Sequence, residues 1–91
     1  MPVIHLRIAG RVQGVGFRWF VREHAFALGL AGWVRNTADG EVELAASGDE
    51  ASLAALAAEV GRGPPGAYVR TVRRIEPAAE LEYPDPFRIA P

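Results

Sequence analysis

The chain contains no cysteine. Disulfides, thiolate nucleophiles and thiolate-held metals are therefore excluded from the outset. Lysine is absent as well, so all 10 basic side chains are arginine. Together with the many alanines and glycines, this fits coding by a GC-rich bacterial genome. Histidine occurs only as the isolated His5 and His24, which do not make a metal cluster. No apolar run approaches the roughly 18 residues of a membrane span. The first residues also lack a charged segment followed by an apolar stretch. By elimination the expectation is a soluble, cytoplasmic protein with no membrane partner.

What is present suffices for one core. The 91 residues are 49% hydrophobic, and a chain of this size buries roughly 60–65% of its unfolded surface. One domain over residues 1–91 is expected. The net charge of −1 hides an asymmetry along the chain. Up to Asn36, Arg7, Arg11, Arg18, Arg22 and Arg35 stand against Glu23 alone, and the remainder is acidic. A basic first part suggests an anionic ligand held there; chance segregation of surface charge is the alternative.

Val3 to Ala9 alternates, with Ile4, Leu6 and Ile8 on one face and His5 and Arg7 on the other, as in a half-buried strand. Gly10, Gly14 and Gly16 punctuate a loop. From about Phe17 to Leu28, Phe17, Phe20, Val21, His24, Ala25 and Leu28 recur at helical spacing, and Gly29 is placed to cap that helix. Leu30 to Arg35 reads as a second strand. Asn36-Thr37-Ala38-Asp39-Gly40 reads as a turn, and Glu41 to Ala46 as a third strand closing a hairpin. Ser47 or Asp49 can cap a second helix, Ser47 forming a capping box with Glu50, and Leu53, Leu56, Ala57 and Val60 make its buried stripe. A fourth strand runs from about Tyr68 to Ile75. Its apolar residues Val69, Val72 and Ile75 fall three apart, which predicts a bulge. In the proline-rich tail Phe87 and Ile89 can form a short edge strand. This order predicts an α+β fold, a ferredoxin-like βαββαβ sandwich whose antiparallel sheet carries two helices on one face. Phe17, Phe20 and Trp33 read as core, His24 as packing beside the helix stripe, and Arg73-Arg74 as an exposed run.

Three glycines in seven residues between a strand and a helix permit close backbone approach to a ligand. Successive amide groups in such a turn form an anion nest, and the following helix start adds partial positive charge. Arg18, in the first helical turn, opposes the helix dipole unless it grips an anion bound there. The segment is neither a Walker loop nor a dinucleotide fingerprint. Spacing alone does not separate an anion site from a tight turn with surface arginines. Arg11 and Arg35 read equally as field-strengthening or solvated.

The residues Gly10-Arg11-Val12-Gln13-Gly14-Val15-Gly16-Phe17-Arg18 closely resemble the signature of the acylphosphatase family. Gly32-Trp33-Val34-Arg35-Asn36, followed by Asp39-Gly40-Glu41-Val42, resembles a second family segment. Gly63-Pro64-Pro65-Gly66-Ala67-Tyr68-Val69 resembles a third. The resemblance implies hydrolysis of acyl phosphates to a carboxylate and inorganic phosphate, without a metal or other cofactor. It implies that Arg18 binds phosphate and that Asn36 orients the attacking water. The backbone of Val12, Gln13, Gly14, Val15, Gly16 and Phe17 is then the phosphate cradle. The partners implied are a small acyl phosphate and inorganic phosphate, with no nucleic acid, and the chain is expected to be a monomer. Without the resemblance, Asn36 reads as a turn residue tolerant of left-handed geometry.

Two rivals come from other classes. The same domain occurs in larger carbamoyl-transfer maturation proteins, as a binding module; a chain stopping at Pro91 without a linker favours the free-standing enzyme. RNA-recognition domains share the strand–helix order, but they need aromatics on the exposed sheet face. His5, Arg7, Glu41, Glu43 and Ala45 read as that face, and its acidic residues weigh against RNA. No acyl-group pocket is evident from the sequence.

Overall fold

The structure, a computed structural model, describes residues 1–78 and 80–91. In chain order the elements are β1 (Val3–Arg11), α1 (Phe17–Ala27), β2 (Ala31–Asn36), β3 (Val42–Ser47), α2 (Glu50–Arg62), β4 (Tyr68–Arg74) and β5 (Arg88–Ile89). The sheet runs β4-β1-β3-β2-β5. β1 pairs antiparallel with β3 and β4, and β2 antiparallel with β3. The expected ferredoxin-like sandwich is therefore present, with one amendment: β5 lies parallel to β2, so the sheet is mixed. The tail carries the chain from the β4 edge to the opposite edge, and it arrives running in the direction of β2. Among the described residues no helix is long and apolar enough to cross a membrane.

Strand alternation sends Ile4, Leu6 and Ile8, Val34, and Val42, Leu44 and Ala46 toward the helices. There they meet Phe17, Val21 and Ala25 of α1 and Leu53, Leu56 and Val60 of α2 in one core. Phe87, from the tail, joins this core and is fully buried. The helix ends follow from local chemistry. At the end of α1 the Leu30 amide bonds Ala25 O and the Gly29 amide bonds Phe26 O, the paired Schellman closure anticipated at Gly29. Of the two candidate caps for α2, Asp49 holds the position, accepting from the Ser52 amide at 3.0 Å. Ser47 is instead the last residue of β3, paired with both Val3 and Ala31. The bulge is also present: the β1–β4 register slips between Ala9 and Gly10, which face Thr71 and Val69 and leave Arg70 as the extra residue.

The other sheet face departs from expectation. His5 and Glu43 are each only 6% exposed, and Ala45 is fully buried. Trp33 is not in the helix-side core; it is half-buried on this opposite face, edge-on to His5 with ring centroids 5.8 Å apart. Ile75, Glu76 and Pro77 border His5, and Glu82 and Pro84 border Trp33, so the tail lies along this face. It is tied down by Ile75 N–H donating to His5 O and by Gly32 N–H donating to Pro84 O. Under it His5 Nε2 donates to Glu43 Oε2 (2.6 Å), while Arg35 donates twice to Glu43 Oε1 (2.8 and 3.0 Å).

The charge asymmetry along the chain also dissolves in space. Arg7 pairs with Asp39 and Glu41, Arg35 with Glu43, and Arg22 with Glu23. Folding brings acids of the second part onto two of the five arginines of the first, Arg7 and Arg35, while Arg22 takes its partner from the first part.

Candidate active site

The two helices begin differently. α2 is capped by the Asp49 carboxylate and carries Glu50 in its first turn, so its exposed amides and its dipole are both answered from within the chain. α1 begins at Gly16, with no side-chain cap and no acid in its first turn; the residue placed there is Arg18. Amide donors, the positive end of the helix dipole and a guanidinium thus converge without an internal anion. Among the described residues Arg18 makes no ion pair.

The loop leading into α1 owes its shape to Gly14 and Gly16, at φ 75° and 77°. A Cβ at either would meet nothing within 4 Å. The requirement for glycine is therefore the left-handed torsion and not crowding.

Val12, Gly14, Gly16, Phe17 and Arg18 line one cleft together with Asn36, Trp19 and Ile89. Its volume of about 260 Å³ is below the roughly 300–1,000 Å³ typical of drug-sized ligands and suits a small molecule. The cleft joins the β1–α1 loop to the end of β2, so Arg18 and Asn36 line it together although they are far apart in sequence. Phe17 forms part of the lining and is also fully buried in the core, which fixes the helix start to the sandwich.

The side chains of two of the anticipated loop residues are engaged outside the cleft. Val15 is half-buried against the hydrophobic core. The Gln13 side-chain amide donates to Thr37 O and to Glu41 O, both at 2.9 Å. Both bonds come from Nε2, so one amide nitrogen spans the two ends of the β2–β3 turn. Gln13 therefore straps the loop to the hairpin that carries Asn36. The turn is itself braced, with Thr37 N–H donating to Glu41 O and Glu41 N–H donating to Thr37 Oγ1. The hydrogen bond from the Thr37 hydroxyl, first among its causes, holds the Asp39 carboxyl below its ordinary range, and Arg7 acts in the same direction.

Asn36 is the last residue of β2 and does not adopt a left-handed conformation; among the described residues only glycines do. The backbone thus gives no reason for asparagine at this position. Its Oδ1 is buried with no hydrogen-bond partner among the described residues. A buried acceptor left unpaired costs about 1–3 kcal/mol unless something absent from the chain donates to it.

Trp19 and Ile89 were not anticipated as cleft residues. A signal existed for Trp19, because it lies off the stripe of Phe17, Phe20, Val21 and His24. None existed for Ile89, whose place depends on long-range docking of the tail.

Order of elements, helix placement and the cleft at the first strand–helix junction define a ferredoxin-like α+β sandwich with an uncapped helix start. The family model described as Acylphosphatase matches residues 4–89. An acylphosphatase of Koribacter versatilis is 52% identical over 82 residues, covering 90% of this chain and 74% of that protein. The structure of an acylphosphatase from Coxiella burnetii superposes with TM-score 0.85 at 41% identity, over 97% of this chain and 90% of the other. The HypF of T. kodakarensis superposes with TM-score 0.81 at 31% identity, over 98% of this chain but 12% of that longer one. The chain belongs to the acylphosphatase family of hydrolases.

Proposed function

We propose that this chain hydrolyses the carboxyl–phosphate anhydride bond of acyl phosphates, releasing a carboxylate and inorganic phosphate without a metal. The phosphoryl group is held by Arg18 and by the backbone amides of Val12, Gln13, Gly14, Val15, Gly16 and Phe17, and Asn36 orients the water. The observation that carries this reading is the pairing, in one cleft, of an internally unanswered helix start with the unpartnered Oδ1 of Asn36.

A carboxylate is a good leaving group, so the reaction asks for no strong general acid. It asks for a water in line with phosphorus and for stabilisation of charge on the equatorial oxygens. The Arg18 guanidinium and the loop amides meet the second need with donors already in place. The Asn36 side-chain amide hydrogen-bonds the attacking water and fixes its direction. The water oxygen forms the new bond to phosphorus as the bond from phosphorus to the acyl oxygen breaks. Asparagine is no base near neutral pH, so the proton passes to a phosphoryl oxygen or to solvent. Among the described residues the cleft lining offers no carboxylate or imidazole, which supports a metal-free reaction. The same reading takes residues 1–91 as a single acylphosphatase-like domain, acting as a cytoplasmic monomer.

Phosphate release from benzoyl phosphate in the presence of a chelator tests this. Activity should survive chelation. Dependence on added Mg²⁺ would overturn the metal-free mechanism, and no release under either condition would overturn the hydrolysis itself.

A further inference from the structure

We propose that the outer part of the cleft, walled by Trp19 and Ile89, is an acyl subsite selecting phosphates of aromatic and bulky apolar carboxylic acids. The inference rests on the hydrolase reading above and adds the class of acyl group that the site prefers.

The lining divides by chemistry. Gly14, Gly16, Arg18 and Asn36 supply polar and backbone groups, whereas Trp19 and Ile89 supply apolar walls. Trp19 is 60% exposed and Ile89 37%. Single exposed apolar side chains are ordinary. Here two of them, from α1 and from the far edge strand, converge on the cleft that holds the candidate chemical residues. Each is held in place by its surroundings. Trp19 follows Arg18 in the first turn of α1, and the Arg22 guanidinium lies 5.7 Å from its ring centroid, which restrains the indole. Ile89 is in register with Val34, and the next amide, that of Ala90, donates to Val34 O at 2.8 Å. Val34 lies two residues before Asn36 on the same face of β2, so Ile89 flanks the strand end that presents the water-orienting amide.

Substrate geometry does the rest. In an acyl phosphate one bridging oxygen separates phosphorus from the carbonyl carbon. With the phosphoryl group on Arg18 and the loop amides, the acyl group must emerge within the same small cleft. An acetyl group leaves the indole and the isoleucine in water. A phenyl ring covers both, and it stacks favourably on the indole. Apolar surface removed from water in this way favours the larger acyl group at every stage where it is bound.

The test compares kcat/KM for benzoyl phosphate and acetyl phosphate in the wild-type chain and in Trp19→Ala, Ile89→Ala and Trp19→Phe. The benzoyl-to-acetyl ratio should fall about tenfold in Trp19→Ala, fall less in Ile89→Ala, and return toward the wild-type ratio in Trp19→Phe. Because both side chains are exposed, far-ultraviolet circular dichroism should remain that of the wild type. A wild-type chain that cleaves both compounds, with the ratio within about twofold of its own value in both alanine variants, would overturn the subsite alone. A wild-type chain that cleaves neither would overturn the hydrolase reading and the subsite with it.

Discussion

Arg18 and Asn36 are both placed where stability gains little from them. Arg18 is exposed, unpaired among the described residues, and opposes the dipole of α1, a penalty of a few tenths to about 1 kcal/mol. Arg18→Ala should therefore leave the melting temperature unchanged or slightly higher while lowering kcat/KM for an acyl phosphate by more than about 10³-fold. Near-wild-type turnover would remove Arg18 from the mechanism. Asn36→Ala should lower kcat by about 10²–10³-fold but leave competitive inhibition by inorganic phosphate nearly intact, because in the proposed mechanism its amide serves water and not the phosphoryl group. Equal loss of inhibition in the two variants would contradict that division of labour. The position of Arg18 was legible in the sequence because three glycines and an arginine fall between a strand pattern and a helix pattern. Asn36 was legible only through the family resemblance: at the start of a turn, asparagine has an ordinary explanation. It is the strand conformation in the structure that removes this explanation.

At the scale of elements, the site is a gap between a loop and a hairpin, and Gln13 sets its width. Gln13→Ala removes two hydrogen bonds that cross the gap, each worth about 0.5–1.5 kcal/mol. A looser gap misaligns water and phosphoryl group more than it weakens either contact. The variant should thus show kcat reduced about tenfold with a smaller rise in KM. A lower melting temperature with kcat unchanged would make the strap structural only. No period in the sequence reveals such a contact, since the Gln13 amide reaches main-chain oxygens more than twenty positions away. The bulge in β4, by contrast, was visible as a three-residue spacing that suits neither helix nor strand. The choice between Ser47 and Asp49 as helix cap was not visible, because it depends on where β3 stops pairing.

For the molecule as a whole, the open question in the sequence was what covers the second face of the sheet. Alternation identifies the residues that share a face and is silent on whether a tail lies over them. The buried His5–Glu43–Arg35 cluster is the result. Burial pushes the Glu43 carboxyl up, but hydrogen bonds from Arg35 and His5 outweigh it and hold the group below its ordinary value of 4.5. A carboxyl depressed in the folded state contributes stability at pH above its unfolded value and loses it as pH falls through its folded one. Unfolding stability should therefore decline as pH drops below about 4.5. Glu43→Gln should flatten this decline while costing about 1–3 kcal/mol at pH 7, where it leaves buried donors of His5 and Arg35 less well answered. Denaturant titrations of both proteins across that range check it; identical pH slopes would show that the cluster does not contribute.

The Gln13 strap also bears on how this chain tolerates change. Both of its acceptors are main-chain carbonyls, at Thr37 and Glu41, and every amino acid presents a carbonyl at that point of the backbone. The grip is therefore indifferent to the side chains at its far end. Mutational drift that keeps the Thr37 brace can rewrite the other residues of the hairpin tip, and with them its charge and solubility, while the carbonyls that Gln13 grips stay in place.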